Sequence, residues 1–553
     1  MTDPGKPVPA CNRNEYLFVA VITVIIGVTL AAALSASWIF TTDDAFISWR
    51  YADQLIHGYG LRWNSSGEPV EGYSNFLWML LTALVMKLDL PLLITMKWIA
   101  VSSLIVSLVV LYRLARTFLS PLLAVLPVYL LSRNQGVVWW TISGLETGFY
   151  MAFVLLSAWT TIYAFGYRNH EHARRAFSPK IWFLACALYF VTGLIRFDGA
   201  VWSGIFAVFI VCNLSREKNT VPVWPMVWIA VFAFVMPYMV YLGWRWFYFG
   251  ALLPNSYACK ASFGSSLSQV VVEYLPVLFP CIVLGLPCLL GNKDCRHILL
   301  WLPSLVYCLI LARANPIITY YYRLFLPAFS LLTVLPVLGI QEFFSYFALR
   351  RKTIVLFTVI SVFLVNETLL PTYQTRELKL ASIAYQERFT MRLQVASYLN
   401  HHAGIHDRVL ISDAGTIPFF ARRDIQFIDD FCLNNKAMLR SDIHRSEALY
   451  AIEIEEHVKP HWVISTFYPL LNRWNEITNV LRKRHFFDHC ERVAEFASRQ
   501  YTYNRQGEPK PGPNDFGYQL YHCPGRVFKV SPGAKEQEKT GKHDHLPAES
   551  LHQ

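Results

Sequence analysis

Two adjacent carboxylates, Asp43 and Asp44, follow directly on a long apolar run. Neighbouring acids raise one another's pKa or share a cation, and a carboxylate so tuned can take a proton from an attacking hydroxyl. The plainer reading is a pair of interface charges that ends a helix. The stretch around them, residues 41–78, adds Arg50, Glu68, Glu71, several glycines and a row of aromatics that includes Tyr73. Such a mixture suits a polar ligand resting against a membrane. Gly58-Tyr59-Gly60 permits tight turns. Residues 46–56 carry apolar side chains at helical spacing, as an interfacial helix would.

The elements that must hold these residues are hydrophobic. Of 553 residues, 54% are apolar and only 16% charged, against about 25% in soluble domains. Mean hydropathy is +0.33. The 17 Trp and 29 Tyr suit membrane interfaces. A disordered, collagen-like or disulfide-stapled chain is excluded. The expected fold is a polytopic α-helical membrane protein. The formal charge of +11 does not point to nucleic acid, because many of the Lys and Arg lie in short clusters between apolar runs, where they set topology.

The first apolar run, residues 16–40, is long enough to span and has no cleavage signature after it. Eleven more runs lie between residues 76 and 370. With the basic clusters at Arg113/Arg116, Arg168/Arg174/Arg175/Lys180, Arg216/Lys218, Lys293/Arg296 and Arg350/Arg351/Lys352 placed in the cytoplasm, residues 41–75 and the C-terminal part lie outside. Residues 76–97 then dip into the membrane or lie in its interface, leaving about eleven spans; twelve would put the C-terminal part inside. Residues 1–371 form the membrane domain, with 41–75 its first external loop. Residues 372–530 carry short strand-like runs (RVLIS, IQFI, WVIS) between helical stretches and are expected to be a soluble α/β domain. Residues 531–553 are polar and expected to be a disordered tail. Most of the 11 Cys read as small buried hydrophobes, while Cys432, Cys490 and Cys523 allow one disulfide.

The run DDAFISWRYADQLIHGYGLRWN…GEPVEGYSNFLW resembles the first periplasmic loop of GT-C glycosyltransferases, and most of all that of the terminal arabinofuranosyltransferases of the AftB type, which decorate mycobacterial arabinan. Weaker echoes are ISGLETGFY, LIRFDG, RWFYFGALLPNSYACK, YYYRLFLP and ISDAGTIPFF. The chain departs from that type in its short C-terminal domain and charged tail. The resemblance implies an integral enzyme of the bacterial inner membrane with a periplasmic C-terminal domain. It would move a sugar, such as arabinofuranose, from a polyprenyl-phosphate donor to an envelope glycan, lipid or protein acceptor on the outer face. Asp43 is then the base and Asp44 its partner. The resemblance requires no cofactor; a divalent metal on Asp43 or Asp44 stays open.

Departure of a lipid phosphate needs a waiting cation. Candidates on the external side are Arg50, Arg196, Lys260 and Arg323. Each has a plainer reading: Arg196 in an ion pair with Asp198 at a helix end, Arg323 as a snorkelling anchor, Lys260 as a solvated loop lysine. Sugar and acceptor hydroxyls are assigned to Glu68, Glu71, Tyr73, Glu146, Asp198 and Tyr321. Glu146 can alternatively complement a helix dipole. Asp413-Ala-Gly415, after a strand, is either a turn or part of a lid over the membrane site. No P-loop, G-x-S-x-G or dinucleotide fingerprint occurs. The competing class is a lipid-linked sugar transporter or flippase, which would place its ionisable residues near the bilayer midplane. Here they gather at one external boundary.

Overall fold

A computed structural model describes residues 13–168, 176–216, 222–262, 267–291, 295–311, 316–347, 349–440, 446–504 and 508–523. The tail at 531–553 and part of the basic clusters therefore lie outside the described residues.

The first helix, α1 (Arg13–Ser37), leads into α2 (Asp43–Ile56), α3 (Phe76–Lys87), α4 (Leu92–Ala115), α5 (Pro121–Arg133), α6 (Gln135–Thr141) and α7 (Thr147–Ala164). Then come α8 (Pro179–Ile195), α9 (Ala200–Arg216), α10 (Val223–Ala230), α11 (Met236–Phe249), α12 (Asn255–Ser262), α13 (Leu267–Gly291) and α14 (Ile298–Leu311). A 3-10 helix, Pro316–Phe325, precedes α15 (Leu326–Leu332), α16 (Val334–Ser345) and α17 (Arg351–Leu369). Seven described stretches are long and apolar enough to cross a membrane, fewer than the expected eleven, and five shorter apolar helices of 10–17 residues accompany them. Pro276, Pro280 and Pro287 lie inside α13 and Pro303 inside α14, and each removes a backbone donor. Prolines do not break these helices: α13 runs through 25 residues without interruption. Residues 76–97 split at Asp89, which takes a left-handed φ of 51°. Helix α3 before the split has 12 residues, about 18 Å of helix, too short to cross a bilayer.

Helix α18 (Thr375–His402, 28 residues) links the two parts of the molecule. Leu378 and the partly buried Tyr385 and Phe389 pack on the core of the membrane helices. Met391, Val395 and Leu399, further along, enter the core of the C-terminal domain. That domain carries a six-stranded sheet of β1 (Arg408–Ile411), β2 (Gln426–Asp429), β3 (Trp462–Tyr468), β4 (Arg473–Trp474), β5 (Glu491–Tyr503) and β6 (Pro509–His522). The order is β2-β1-β3-β6-β5, with β4 on β3. Strands β1, β2 and β3 are parallel; β3 with β6 and β6 with β5 are antiparallel. A short helix, α19 (Thr416–Phe420), follows β1.

Helix α2 is sandwiched rather than lying on a membrane surface. Phe46 and Trp49 belong to the core of the membrane helices, whereas Ile47, Tyr51 and Ala52 share a core with Val395, Ile411 and Ile417 of the C-terminal domain. Two disulfides hold the domain, Cys490–Cys523 within it and Cys259–Cys432 between α12 and the segment after β2. The sequence allowed one disulfide among the three C-terminal cysteines. The fourth partner, Cys259, reads from its setting as one of the small buried hydrophobes, and a pairing across 173 residues leaves no local sign.

Candidate active site

Strand order 2-1-3 makes the carboxyl end of β1 a switch point, since the chain passes from β1 to β2 on one side and from β2 back to β3 on the other. Open parallel sheets bind their ligands at such places. Ser412, Asp413 and Ala414 follow β1 there, and Phe431 and Leu433 follow β2. All five line a cavity of about 320 Å³ whose other wall is the membrane domain. From that side come Asp43 and Asp44 at the start of α2, Tyr73 and Asn75 from the first loop, Trp140, Ser256 of α12 and Arg323 of the 3-10 helix.

The two adjacent acids diverge. Asp43 accepts backbone N–H groups from Thr416 (2.8 Å) and Gly415 (3.1 Å) and faces Nε of Arg392 on α18 at 3.3 Å. Arg392 also holds Asp413 (2.8 Å) and the Tyr518 hydroxyl (2.9 Å), and Tyr518 donates to Asp413. Burial raises the Asp43 pKa; Arg392 opposes this and Asp413 reinforces it. The carboxyl group thus ties α2 to the C-terminal domain. The approach is close: a Cβ on Gly415 would run into the backbone and carboxylate of Asp43. Gly415→Ala is therefore expected to push α19 off α2 at a cost of roughly 1–3 kcal/mol, read as lowered thermal stability. An unchanged melting temperature would contradict this contact.

Asp44 has 58% of its side chain exposed and an oxygen 3.7 Å from Arg323. Arg323 divides its guanidinium between Asp44 and Glu146, which lies 3.3 Å away, and sits over the Trp140 ring. Its Nε is buried with no hydrogen-bond partner among the described residues, as are the Tyr73 hydroxyl and Ser256 Oγ. Three cavity-lining groups thus keep unused hydrogen-bonding capacity, which buried groups rarely do without a ligand.

Glu146, 1% exposed, sits behind the cavity. Arg196 reaches it at 2.6 Å and Asn75 Nδ2 at 2.8 Å. Ser48 in turn donates to Asn75 Oδ1, which fixes that amide. Burial would raise the Glu146 pKa, but Arg323 and Arg196 hold it down at about 2, against an ordinary 4.5. Its ionised form therefore stabilises the fold above pH 4.5, and that contribution is lost as pH falls toward 2. The stability gap between the wild type and Glu146→Gln is expected to shrink over that window in thermal melts. A gap independent of pH would show that Glu146 is not held as an anion.

Of the predicted residues, Asp43, Asp44, Tyr73 and Arg323 line one cavity, and Glu146 joins them through Arg323. Arg196 is committed to Glu146 and to Asp198, at 2.8 Å from the latter, so it backs the site and does not face the cavity. Arg50 is a correction. It is 2% exposed, donates to the carbonyls of Trp63 and Pro418 and lies over the Trp63 and Phe427 rings. It is a strut between loop and domain, and burial lowers its pKa to about 9. Glu71 is another: buried, it pairs with Arg245 of α11 at 2.5 Å. Burial raises its pKa to about 7, with Arg245 opposing. Glu68 is exposed on the loop. Tyr321 borders a different hollow. The side chain of Lys260, on α12, lies outside the described residues. Sequence reasoning missed Ser256, and also Asn75, Arg392 and Tyr518, whose partners across the site are distant in the chain. No group of three His, Cys, Asp or Glu suited to a metal occurs among the described residues, and Asp43 and Asp44 point to separate partners instead of forming a shared cation site.

A family described as a domain of unknown function (DUF8728) matches residues 379–521. No curated protein matches the sequence significantly. Among solved structures the chain is similar to ArnT from Cupriavidus metallidurans bound to undecaprenyl phosphate (TM-score 0.51, 11% identity, covering 92% of this chain and 98% of that one). It is also similar to the Archaeoglobus fulgidus oligosaccharyltransferase in the apo form (TM-score 0.55, 11% identity, 89% and 74%). The third is the archaeal oligosaccharyltransferase AglB from Archaeoglobus fulgidus in complex with an inhibitory peptide and a dolichol-phosphate (TM-score 0.51, 11% identity, 90% and 74%). At this identity the likeness establishes the fold. The chain is a multi-pass membrane protein with this fold and a C-terminal α/β domain.

Proposed function

We propose that the protein is a membrane glycosyltransferase that moves a sugar from a polyprenyl-phosphate donor to an envelope glycan, lipid or protein acceptor. The observation that carries this reading is the cavity itself. An open carboxylate, Asp44, faces an incompletely used guanidinium, Arg323, across a pocket roofed by the C-terminal domain. In the proposed reaction an acceptor hydroxyl attacks the anomeric carbon as its proton passes to Asp44. The bond from that carbon to the phosphate oxygen breaks, and the lipid phosphate leaves against Arg323. The sequence order placed Asp43 first as base. Because the Asp43 oxygens are taken up by Gly415, Thr416 and Arg392, we assign the base to Asp44 and to Asp43 the positioning of α2 under the domain. Glu146 fixes Arg323 from behind.

The named ligands of two structural neighbours, undecaprenyl phosphate and dolichol-phosphate, support a lipid-phosphate donor. The resemblance of the first loop supports a pentofuranose such as arabinofuranose. Two disulfides favour an oxidising compartment for the C-terminal domain, in line with a site on the outer face of a bacterial inner membrane. The test is to incubate purified protein with polyprenyl-phosphoryl arabinofuranose and polyprenyl-phosphoryl hexoses, and to follow lipid phosphate and glycan by mass spectrometry. Consumption of one donor with extension of an acceptor is expected. Stability of every donor would remove the proposal.

A further inference from the structure

We propose that a second hollow beside the cavity is the acceptor groove, and that it takes a neutral oligosaccharide. This rests on the transferase reading above. The hollow, about 340 Å³, lies between α6, the 3-10 helix Pro316–Phe325, α18 and the β5–β6 hairpin.

It shares a wall with the cavity. Trp140 and Arg323 line the cavity; their near neighbours on the same two elements, Trp139 and Tyr321, line the hollow. The wall is thin because α6 lies against the backbone of the 3-10 helix: a Cβ on Gly136 would meet the Tyr321 carbonyl. Tyr321 and Tyr322 take left-handed φ values of 46° and 59°. Such a backbone is costly for non-glycine residues and tends to be kept where it positions a side chain. Here the Tyr321 ring stands edge-on to Trp139 at 5.8 Å.

The lining has the chemistry of polyol recognition. Glu377, Ala381 and Ala384 of α18 follow one another at steps of four and three and so share a face. They offer a shallow floor with a carboxylate at one end. Across from them stand Gln500 and Tyr501 of β5 and Asp515 of β6. Carboxylates accept, amides both donate and accept, and rings cover apolar sugar faces. Asp515 holds Arg388 at 2.8 Å with Oδ2, while its Oδ1 is buried with no partner among the described residues. Neither Lys nor Arg lines the hollow; Asp515 has its counter-charge in Arg388, and Glu377 adds an exposed negative charge. An anionic chain is disfavoured and a neutral one is not.

The floor of the hollow runs toward the reaction centre. The face of α18 that carries Glu377, Ala381 and Ala384 continues through Arg388 to Arg392, which meets Asp43 at 3.3 Å. From Glu377 to Arg392 the helix rises about 22 Å, so a glycan of several residues laid along this face would end beside Asp43, the neighbour of the assigned base.

The test uses the full-length protein in detergent and three probes: an arabinofuranosyl hexasaccharide, a hexamannoside and a sulfated hexasaccharide. Glu377 and Gln500 are both exposed, so the double variant Glu377→Ala/Gln500→Ala is expected to fold. At least one neutral hexasaccharide is expected to bind. The double variant should weaken that binding at least tenfold and raise the acceptor KM to match, with kcat and the donor KM unchanged. Binding of neither neutral probe, equal or tighter binding of the sulfated one, or wild-type affinity in the double variant would each overturn the groove. If a neutral probe binds as described and no donor is consumed, the transferase reading fails and the groove stands. If a donor is consumed and the acceptor KM stays fixed in the double variant, the groove fails and the transferase reading stands.

Discussion

Asp44→Asn is expected to lower the turnover number by about 10³-fold, within the range that a positioned general base supplies. The substitution keeps the size of the side chain and removes its ability to take a proton. Because the side chain is 58% exposed, little of the fold depends on it, and membrane insertion and thermal stability should stay at wild-type values. Donor binding should survive as well, since Arg323 loses only a contact of 3.7 Å. The companion variant Asp43→Asn behaves differently. An amide in place of that carboxylate loses charge against Arg392 and one of its two acceptor oxygens for the Gly415 and Thr416 N–H groups. The domain should then loosen over the cavity, seen as faster limited proteolysis around residues 412–420, with a smaller loss of turnover. Full activity in Asp44→Asn with none in Asp43→Asn, under unchanged proteolysis, would return the base to Asp43.

Arg323→Ala carries the second large effect. The guanidinium is the cation that the cavity presents to a departing phosphate. Removing one such electrostatic contact costs about 10²–10³ in kcat. Arg323→Lys restores the charge without the planar fork, so it should recover part of the rate. Its shorter reach is expected to leave Glu146 dependent on Arg196, which already lies at 2.6 Å. Because that pair remains, neither variant should unfold the site. Equal activity of alanine, lysine and wild type would mean that the phosphate is held elsewhere, and Lys260 would be the next residue to substitute.

Much of this site was legible because it is written locally. Asp43 and Asp44 at the end of an apolar run, followed by a loop rich in glycine and aromatics, mark a polar place at a membrane boundary. Composition and the spacing of apolar runs carried the fold class. The division of labour between the two acids was not legible. It depends on Gly415 and Thr416, some 370 positions away, and nothing near Asp43 announces that partner. Arg50 and Glu71 looked like free charges in an external loop. Their true settings, under Pro418 and against Arg245, come from the domain and from α11, both remote in sequence. The number of spans was blurred for a different reason. Apolar runs show where a chain can be buried, but the length of the helix each one forms decides whether it crosses alone, as the 12 residues of α3 show. The Cys259–Cys432 bond shows the same limit, since its cysteines lie in segments that read as unrelated.

In the proposed reaction a lipid phosphate sits at Arg323 with the sugar beside Asp44. The most direct test of this placement is an experimental structure of the full-length protein with undecaprenyl phosphate added. Density for the phosphate within hydrogen-bond distance of Arg323, inside the cavity under Ser412–Ala414, is the predicted result. A phosphate bound away from Arg323, or against the opposite end of the membrane helices, would contradict it.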